Sequence, residues 1–357
     1  MSTESNKSII NWLNSRLGLE HLQGMAAKKK VPLHRASLWY YVGGIAMVLM
    51  LIQFVTGGLL MIYYIPEISS AHSSILFINS QVDFGWFFRS MHSWGANILI
   101  FVVFLHMFSA YFMKAYRGSR EITWLTGFAL LILCLAFGFT GYLLPWDEIA
   151  FFATKIGLDI TEQVPFIGMF MAEILRGGEE VGQGTLSRFF VIHVFVLPIM
   201  LLMLLGTHLF MVQLHGMSEP LSFSSKVDKK YEPFFPNFLM KDLLVWLLVI
   251  NVMATLVSFM PWGLGPEADA FAPAPAGIKP EWYFLAMFQF LKILPAHMGF
   301  IEGEKFGLLV FTVIGAVLAF APFIDPVEHP IRSRFMEIFA VLVLLAFAGF
   351  TIWGVLA

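Results

Sequence analysis

Two apolar stretches, each holding a pair of histidines, constrain this chain more than any other feature. The first is Phe88–Met113, FRSMHSWGANILIFVVFLHMFSAYFM, with His92 and His106; the second is Phe189–Val212, FFVIHVFVLPIMLLMLLGTHLFMV, with His193 and His208. Runs of this length cross a bilayer as helices, the form in which a lone segment satisfies its own backbone there. The histidines stand 14 positions apart in the first stretch and 15 in the second. At about 1.5 Å rise per residue, each pair is separated by about 21–23 Å along its helix. Fourteen residues make nearly four whole turns, so His92 and His106 share almost one face. Two such helices side by side set up two histidine–histidine pairs, stacked across a membrane. Imidazoles facing each other across a gap suit a six-coordinate haem iron with bis-histidine axial ligation. A single histidine on an apolar helix is often a satisfied core residue. Four at matched spacing point to two haems, because polar groups in hydrocarbon are costly and mark function.

Composition agrees with a membrane. Of 357 residues, 58% are hydrophobic and 16% aromatic, and only 13% are charged; the class is an all-α polytopic membrane protein. A net charge of −2 gives no basis for nucleic-acid binding. The single cysteine, Cys134, lies in an apolar segment and excludes an intrachain disulfide, a thiolate cluster and a CxxCH haem attachment. The polar start MSTESNKS predicts no cleavable signal peptide.

Hydropathy predicts about seven spans: Leu38–Ile65, Met91–Met113, Ile122–Leu144, Phe189–Val212, Leu239–Met260, Phe306–Phe323 and Phe335–Leu356. Before them, Ile9–Leu22 has the spacing of an amphipathic surface helix. The expected organisation is an N-terminal segment (1–36), a four-helix core (37–215) and a three-helix C-terminal region (216–357). Loop charge sets the orientation. Lys28, Lys29, Lys30 and Arg35, then Lys114, Arg117 and Arg120, then Lys226, Lys229 and Lys230, then Arg332 and Arg334 all fall on one side of a seven-span chain. Glu67, Asp83, Asp147, Glu148, Asp159, Glu162, Glu179, Glu180, Glu267 and Asp269 fall on the other. The N-terminus is therefore expected in the cytoplasm, with His92 and His193 near the outer face and His106 and His208 near the cytoplasmic face. The long outer loops, 145–188 and 261–305, are half-apolar and are expected to form short helices lying on the membrane.

Glycines repeat the histidine period. Gly43 and Gly57 in the first span, and Gly127 and Gly141 in the third, are each 14 apart. Ordinary small-residue helix packing would use glycine in the same way. Two pairs at the histidine period predict room for two macrocycles. Arg89, three residues before His92, could face a haem propionate or simply snorkel to the interface.

The stretches around the histidines, the run GFTGYLLPWDE at 138–148 and above all Pro280-Glu281-Trp282-Tyr283 resemble cytochrome b of the cytochrome bc complexes, the quinol:cytochrome c or plastocyanin oxidoreductases. The resemblance runs from about residue 30 to the end. It implies that His92 and His193 ligate an outer b-type haem and His106 and His208 an inner one. It also implies quinol oxidation near Tyr142, Glu281 and Tyr283. Arg120-Glu121-Ile122-Thr123-Trp124, the 15-residue histidine spacing and the seven spans look like the chloroplast and cyanobacterial branch, although that branch splits the polypeptide after the fourth span. Its cysteine, which bonds an extra haem, is matched here by Tyr41, so no covalent haem is expected. Lys241-Asp242 and His215 look like the quinone-reducing pocket of the mitochondrial branch; His215 and Asp242 also read as interfacial polar residues. The resemblance implies a Q cycle in a bacterial inner membrane, a Rieske iron–sulfur partner, a c-type cytochrome subunit and a homodimer of the complex. Two other classes remain open at this point. One is a di-haem anchor of a different quinone-linked dehydrogenase; the other is a haem-free proton-coupled transporter.

Overall fold

Backbone polar groups cannot stay unpaired in hydrocarbon, and this chain pairs them within helices. A computed structural model describes residues 11–12, 14–16, 29–219 and 229–357. Of the expected surface helix Ile9–Leu22, all but 11–12 and 14–16 lies outside the described residues, as do Lys28 and Lys226. Among the described residues, six helices are long and apolar enough to cross a membrane: Ser37–Leu60, Gly85–Phe112, Glu121–Tyr142, Gln183–His215, Phe234–Phe259 and Pro330–Leu356. The protein is a multi-pass membrane protein.

The sixth expected span, Phe306–Phe323, differs. The helix there is Gly303–Ala319, 17 residues, followed after Phe320 by the short helix Ala321–Ile324. Pro322 accounts for the break, since it has no N–H to return to the Leu318 carbonyl. The Trp124 indole N–H fills that vacancy, donating to Leu318 O at 2.9 Å and Ala319 O at 3.1 Å. The helix is about 26 Å long, somewhat less than a hydrocarbon core of about 30 Å. Even so, the chain changes ends here. Trp262 lies beside Arg89 at one end of the bundle, and Asp325 beside Arg117 at the other. Among the described residues the chain thus runs end to end seven times, six of them on full-length helices.

Ser37–Leu60 packs on Gly85–Phe112, and Glu121–Tyr142 on Gln183–His215; Phe234–Phe259 leans on the first pair, and Trp282–Ile293 on Pro330–Leu356. The two long loops expected on the outer side do fold into short helices, Glu148–Glu162, Gly168–Arg176 and Trp282–Ile293. A further helix, Ala71–Gln81, has no counterpart in the expected spans. Two small antiparallel pairs, Lys30–Pro32 with Tyr231–Pro233 and His297–Met298 with Ile301–Glu302, were not legible in the hydropathy.

Polar ties fasten the C-terminal region to the four-helix core at both ends. At the basic end Asp325, fully buried, accepts from Arg117 at 2.7 Å, Tyr116 Oη at 2.9 Å and Ser333 Oγ at 3.0 Å, with Lys114 Nζ at 3.5 Å. At the acidic end Arg89 donates to the carbonyls of Trp262 and Gly263, both at 2.9 Å, and Trp94 Nε1 donates to Met260 O at 2.8 Å.

Candidate functional site

Gly85–Phe112 and Gln183–His215 face each other, and their histidines meet in two pairs. The ring centres of His92 and His193 are 6.2 Å apart with planes at 71°. Those of His106 and His208 are 6.5 Å apart with planes at 79°. A metal–imidazole bond of about 2.0 Å on each side, plus the ring radius, separates two such centres by about 6–6.5 Å. A direct imidazole–imidazole hydrogen bond of about 2.9 Å would draw them about an ångström closer. Each gap therefore fits one iron held by two imidazoles.

The unequal spacing is absorbed locally. Residues Ile192–Val196, which include His193, form a π turn inside the fourth span. Pro198 cannot donate to the Val194 carbonyl, which loosens this turn. A π turn takes up one extra residue, so 15 positions here present their histidines as 14 do on the facing helix.

The outward edges of the rings are held too. Thr56 Oγ1 lies 2.9 Å from His92 Nδ1, Thr140 Oγ1 3.1 Å from His193 Nδ1 and Thr126 Oγ1 3.2 Å from His208 Nδ1. Each threonine hydroxyl also donates to the carbonyl four residues back: Ile52 at 2.6 Å, Ala136 at 2.8 Å and Ile122 at 2.8 Å. With its proton committed there, the threonine oxygen is the acceptor and the imidazole Nδ1–H the donor. That fixes the tautomer: Nε2 carries the lone pair and faces the gap, the arrangement of metal-ligating histidines. His208 Nδ1 also lies 3.0 Å from Thr123 O. His106 Nδ1 is buried with no partner among the described residues.

The four glycines each face one histidine. A Cβ on Gly43 would meet His106 Cε1 at 3.1 Å, on Gly57 His92 Cε1 at 3.1 Å, on Gly127 His208 Cε1 at 3.0 Å and on Gly141 His193 Cε1 at 2.5 Å. The expectation of room for macrocycles is thus refined: the neighbour each glycine admits here is the imidazole. Sequence reasoning missed the threonines. Their signal is the dipeptide Thr-Gly, present at 56–57, 126–127 and 140–141. Arg89, considered for a haem propionate, is buried with its guanidinium bound to the Trp262 and Gly263 carbonyls.

At the acidic end Glu281 precedes the helix Trp282–Ile293 at its N-cap position. Its carboxylate makes no capping bond; only its carbonyl receives the Phe284 N–H, at 2.9 Å. The side chain is half-buried, and burial followed by the charge of Asp147 holds its pKa above the usual carboxylate value. Its charge reaches the hydroxyls of Tyr142 and Tyr283, so these three expected residues do converge. Tyr283 is buried, and its hydroxyl lies against Gly138, where a Cβ would collide with it. Trp282 Nε1 donates to Asn97 Oδ1 at 3.0 Å.

At the basic end Asp242 is buried, with Oδ1 unpartnered among the described residues and its carboxylate pressed against Gly44. Lys241 turns away and pairs with Glu232 at 2.5 Å. His215 ends the fourth span, its carbonyl accepting from Arg120 at 3.1 Å and its Nδ1 buried without a partner among the described residues. No hydrogen bond or ion pair joins it to Lys241 or Asp242 among the described residues. Tyr41 stacks on Phe238, ring centres 4.7 Å apart.

The chain is similar to known proteins along most of its length. The family profile "Cytochrome b/b6/petB" matches residues 27–216. The chain belongs to the cytochrome b/b6 family. A second profile of that family, "Cytochrome b(C-terminal)/b6/petD", matches residues 267–357, so both halves lie in one chain. The chain is similar to the cytochrome bc complex cytochrome b subunit of Chlorobaculum thiosulfatiphilum, 46% identical over 340 residues, 94% of this chain and 78% of that one. It is also similar to cytochrome b6 of Prochlorococcus marinus (strain MIT 9215), 40% identical over 217 residues, 61% of this chain and 99% of that one. A solved structure titled "Hyperthermophilic respiratory Complex III" superposes with a TM-score of 0.84 at 27% identity, covering 97% of this chain and 91% of that one. Membership of this cytochrome b family implies b-type haem.

Proposed function

We propose that this chain is the cytochrome b subunit of a bc-type complex. It oxidises quinol at its acidic, outer end and reduces quinone at its basic, cytoplasmic end. The observation that carries the reading is the pair of facing imidazole couples, each spaced for one iron and each near one end of the bundle. When bound there, two b-type haems supply a one-electron path across the membrane, the outer held by His92 and His193 and the inner by His106 and His208.

The chain's own residues do the rest. Glu281 accepts a proton from a quinol hydroxyl and passes it to the outer aqueous phase; its half-buried carboxylate is basic enough to take the proton and near enough to water to release it. Tyr142 and Tyr283 lie within reach of its charge and would contact the quinol. At the basic end Asp242, pressed against Gly44, is the group placed to supply protons to a quinone. Lys241, its sequence neighbour, is already paired with Glu232, and His215 is the third group assigned to this site. The other electron from quinol leaves through a Rieske iron–sulfur partner, which this chain cannot be, with one cysteine. A c-type cytochrome subunit accepts from that partner, and the complex is a homodimer in the bacterial inner membrane, N-terminus in the cytoplasm.

His106→Ala tests the reading. The purified complex should carry one b haem fewer, and a short-chain quinol should still reduce the haem that remains. An unchanged haem-to-protein ratio would remove the ligand assignment.

A further inference from the structure

Three of the four facing histidines share one arrangement, and the fourth lacks it. Before Gly57, Gly127 and Gly141 stands a threonine; before Gly43 stands Val42. Valine has nearly the shape of threonine but no hydroxyl. In the three threonine cases the oxygen accepts the Nδ1–H of the histidine that the neighbouring glycine faces. At the fourth, Gly43 faces the His106 ring in the same way, with a Cβ at 3.1 Å from Cε1, yet His106 Nδ1 is buried and unpartnered among the described residues. The preceding residues Ser37–Tyr40 form a 3-10 turn, not α-helix. Among the described residues no carbonyl replaces the absent hydroxyl as Thr123 O supplements it for His208.

A hydrogen bond from Nδ1–H to an acceptor pushes electron density into the ring and makes Nε2 a stronger donor to a metal. A stronger donor favours the more highly charged, oxidised ion. We propose that Val42 is a positioning residue of the inner pair: by withholding an acceptor from His106 it raises the reduction potential of the iron held between His106 and His208. The inference rests on the ligand reading above. It assigns part of the tuning of that site to a residue that cannot itself ligate iron.

The test is Val42→Thr in the purified complex, with the b-haem visible spectrum titrated against ambient potential. A single neutral hydrogen bond of about 1 kcal/mol changes a one-electron equilibrium about fivefold. The inner haem should therefore become about fivefold harder to reduce at fixed potential, a shift of about 40 mV on a scale where tenfold is 59 mV. The outer haem should not move. If both haems are present and both potentials stay at the wild-type values, the inference falls while the ligand reading stands. Loss of the ligand reading shows instead as full haem content in His106→Ala. Should Val42→Thr fail to assemble, Thr56→Val makes the reverse test at the outer pair, where the outer haem should become easier to reduce. An unshifted outer potential there, with haem retained, would overturn the proposal.

Discussion

Gly141 is the tightest of the four glycine contacts. A Cβ placed on it would lie 2.5 Å from His193 Cε1, 3.1 Å from Nδ1 and 3.2 Å from Nε2. Ordinary contact begins near 3.4 Å, so in Gly141→Ala the ring must move by about 0.9 Å. It has nowhere to go without loss. A shift away from Thr140 lengthens the Nδ1 contact, now 3.1 Å, and a shift toward His92 closes a gap of 6.2 Å that suits one iron. Forced overpacking costs about 1–3 kcal/mol, which weakens retention of the group between the rings about 5- to 150-fold. Gly43, Gly57 and Gly127 leave 3.0–3.1 Å, and alanine there asks for a shift of only a few tenths of an ångström. The expected result is graded. Gly141→Ala should purify with the outer haem depleted and the inner retained, whereas Gly43→Ala and Gly57→Ala keep both with shifted spectra. The assay is haem per protein, resolved by difference spectra of the two haems. Equal haem content in Gly141→Ala and Gly57→Ala would refute the steric argument.

Four further outcomes concern Glu281 and Asp325. Glu281→Gln keeps shape but not charge; quinol oxidation should slow at least tenfold with both haem spectra normal. In the unchanged protein the rate should rise with pH through a pKa above the usual carboxylate range, as Glu281 loses its proton, and that limb should vanish in the variant. Asp325→Asn leaves Arg117 without its buried counter-charge and should cost about 3–5 kcal/mol, read as a lower unfolding temperature of the purified complex with haem content unchanged beforehand. Burial alone would raise the pKa of Asp325, but bonds from Arg117, Tyr116 and Ser333 outweigh it and hold the value low. Its contribution is therefore full above the unfolded carboxylate pKa of about 3.9, and is lost as pH falls through the depressed folded value; in Asp325→Asn this part of the acid sensitivity should disappear.

Much of the site was legible in one dimension. Period alone placed His92 and His106 on one face, and the glycines at the same period marked the helices that flank them. Histidine is costly in hydrocarbon, so its recurrence at a helical interval marks a bound group that repays the cost. The Pro-Glu-Trp-Tyr run carried a resemblance that the comparisons then placed in a family. The fifteen-residue spacing of His193 and His208 was not accounted for by any pattern of apolar residues. It required the π turn at Ile192–Val196, whose cause, Pro198, acts through a carbonyl that only the folded helix positions.

The sequence by itself determined the membrane class, six of the seven expected spans and the four histidines, because hydropathy and helical period are properties of a single strand of chain. Tertiary structure alone decided which side chains those histidines meet across the helices. Thr56, Thr126 and Thr140 lie 36, 82 and 53 positions from the rings they bond, and Arg89 was turned to the Trp262 and Gly263 carbonyls by a loop 173 residues downstream. It also decided that Lys241 faces Glu232 while its neighbour Asp242 faces Gly44, for adjacent residues on a helix point about 100° apart and only the packed partners say which direction leads to a site.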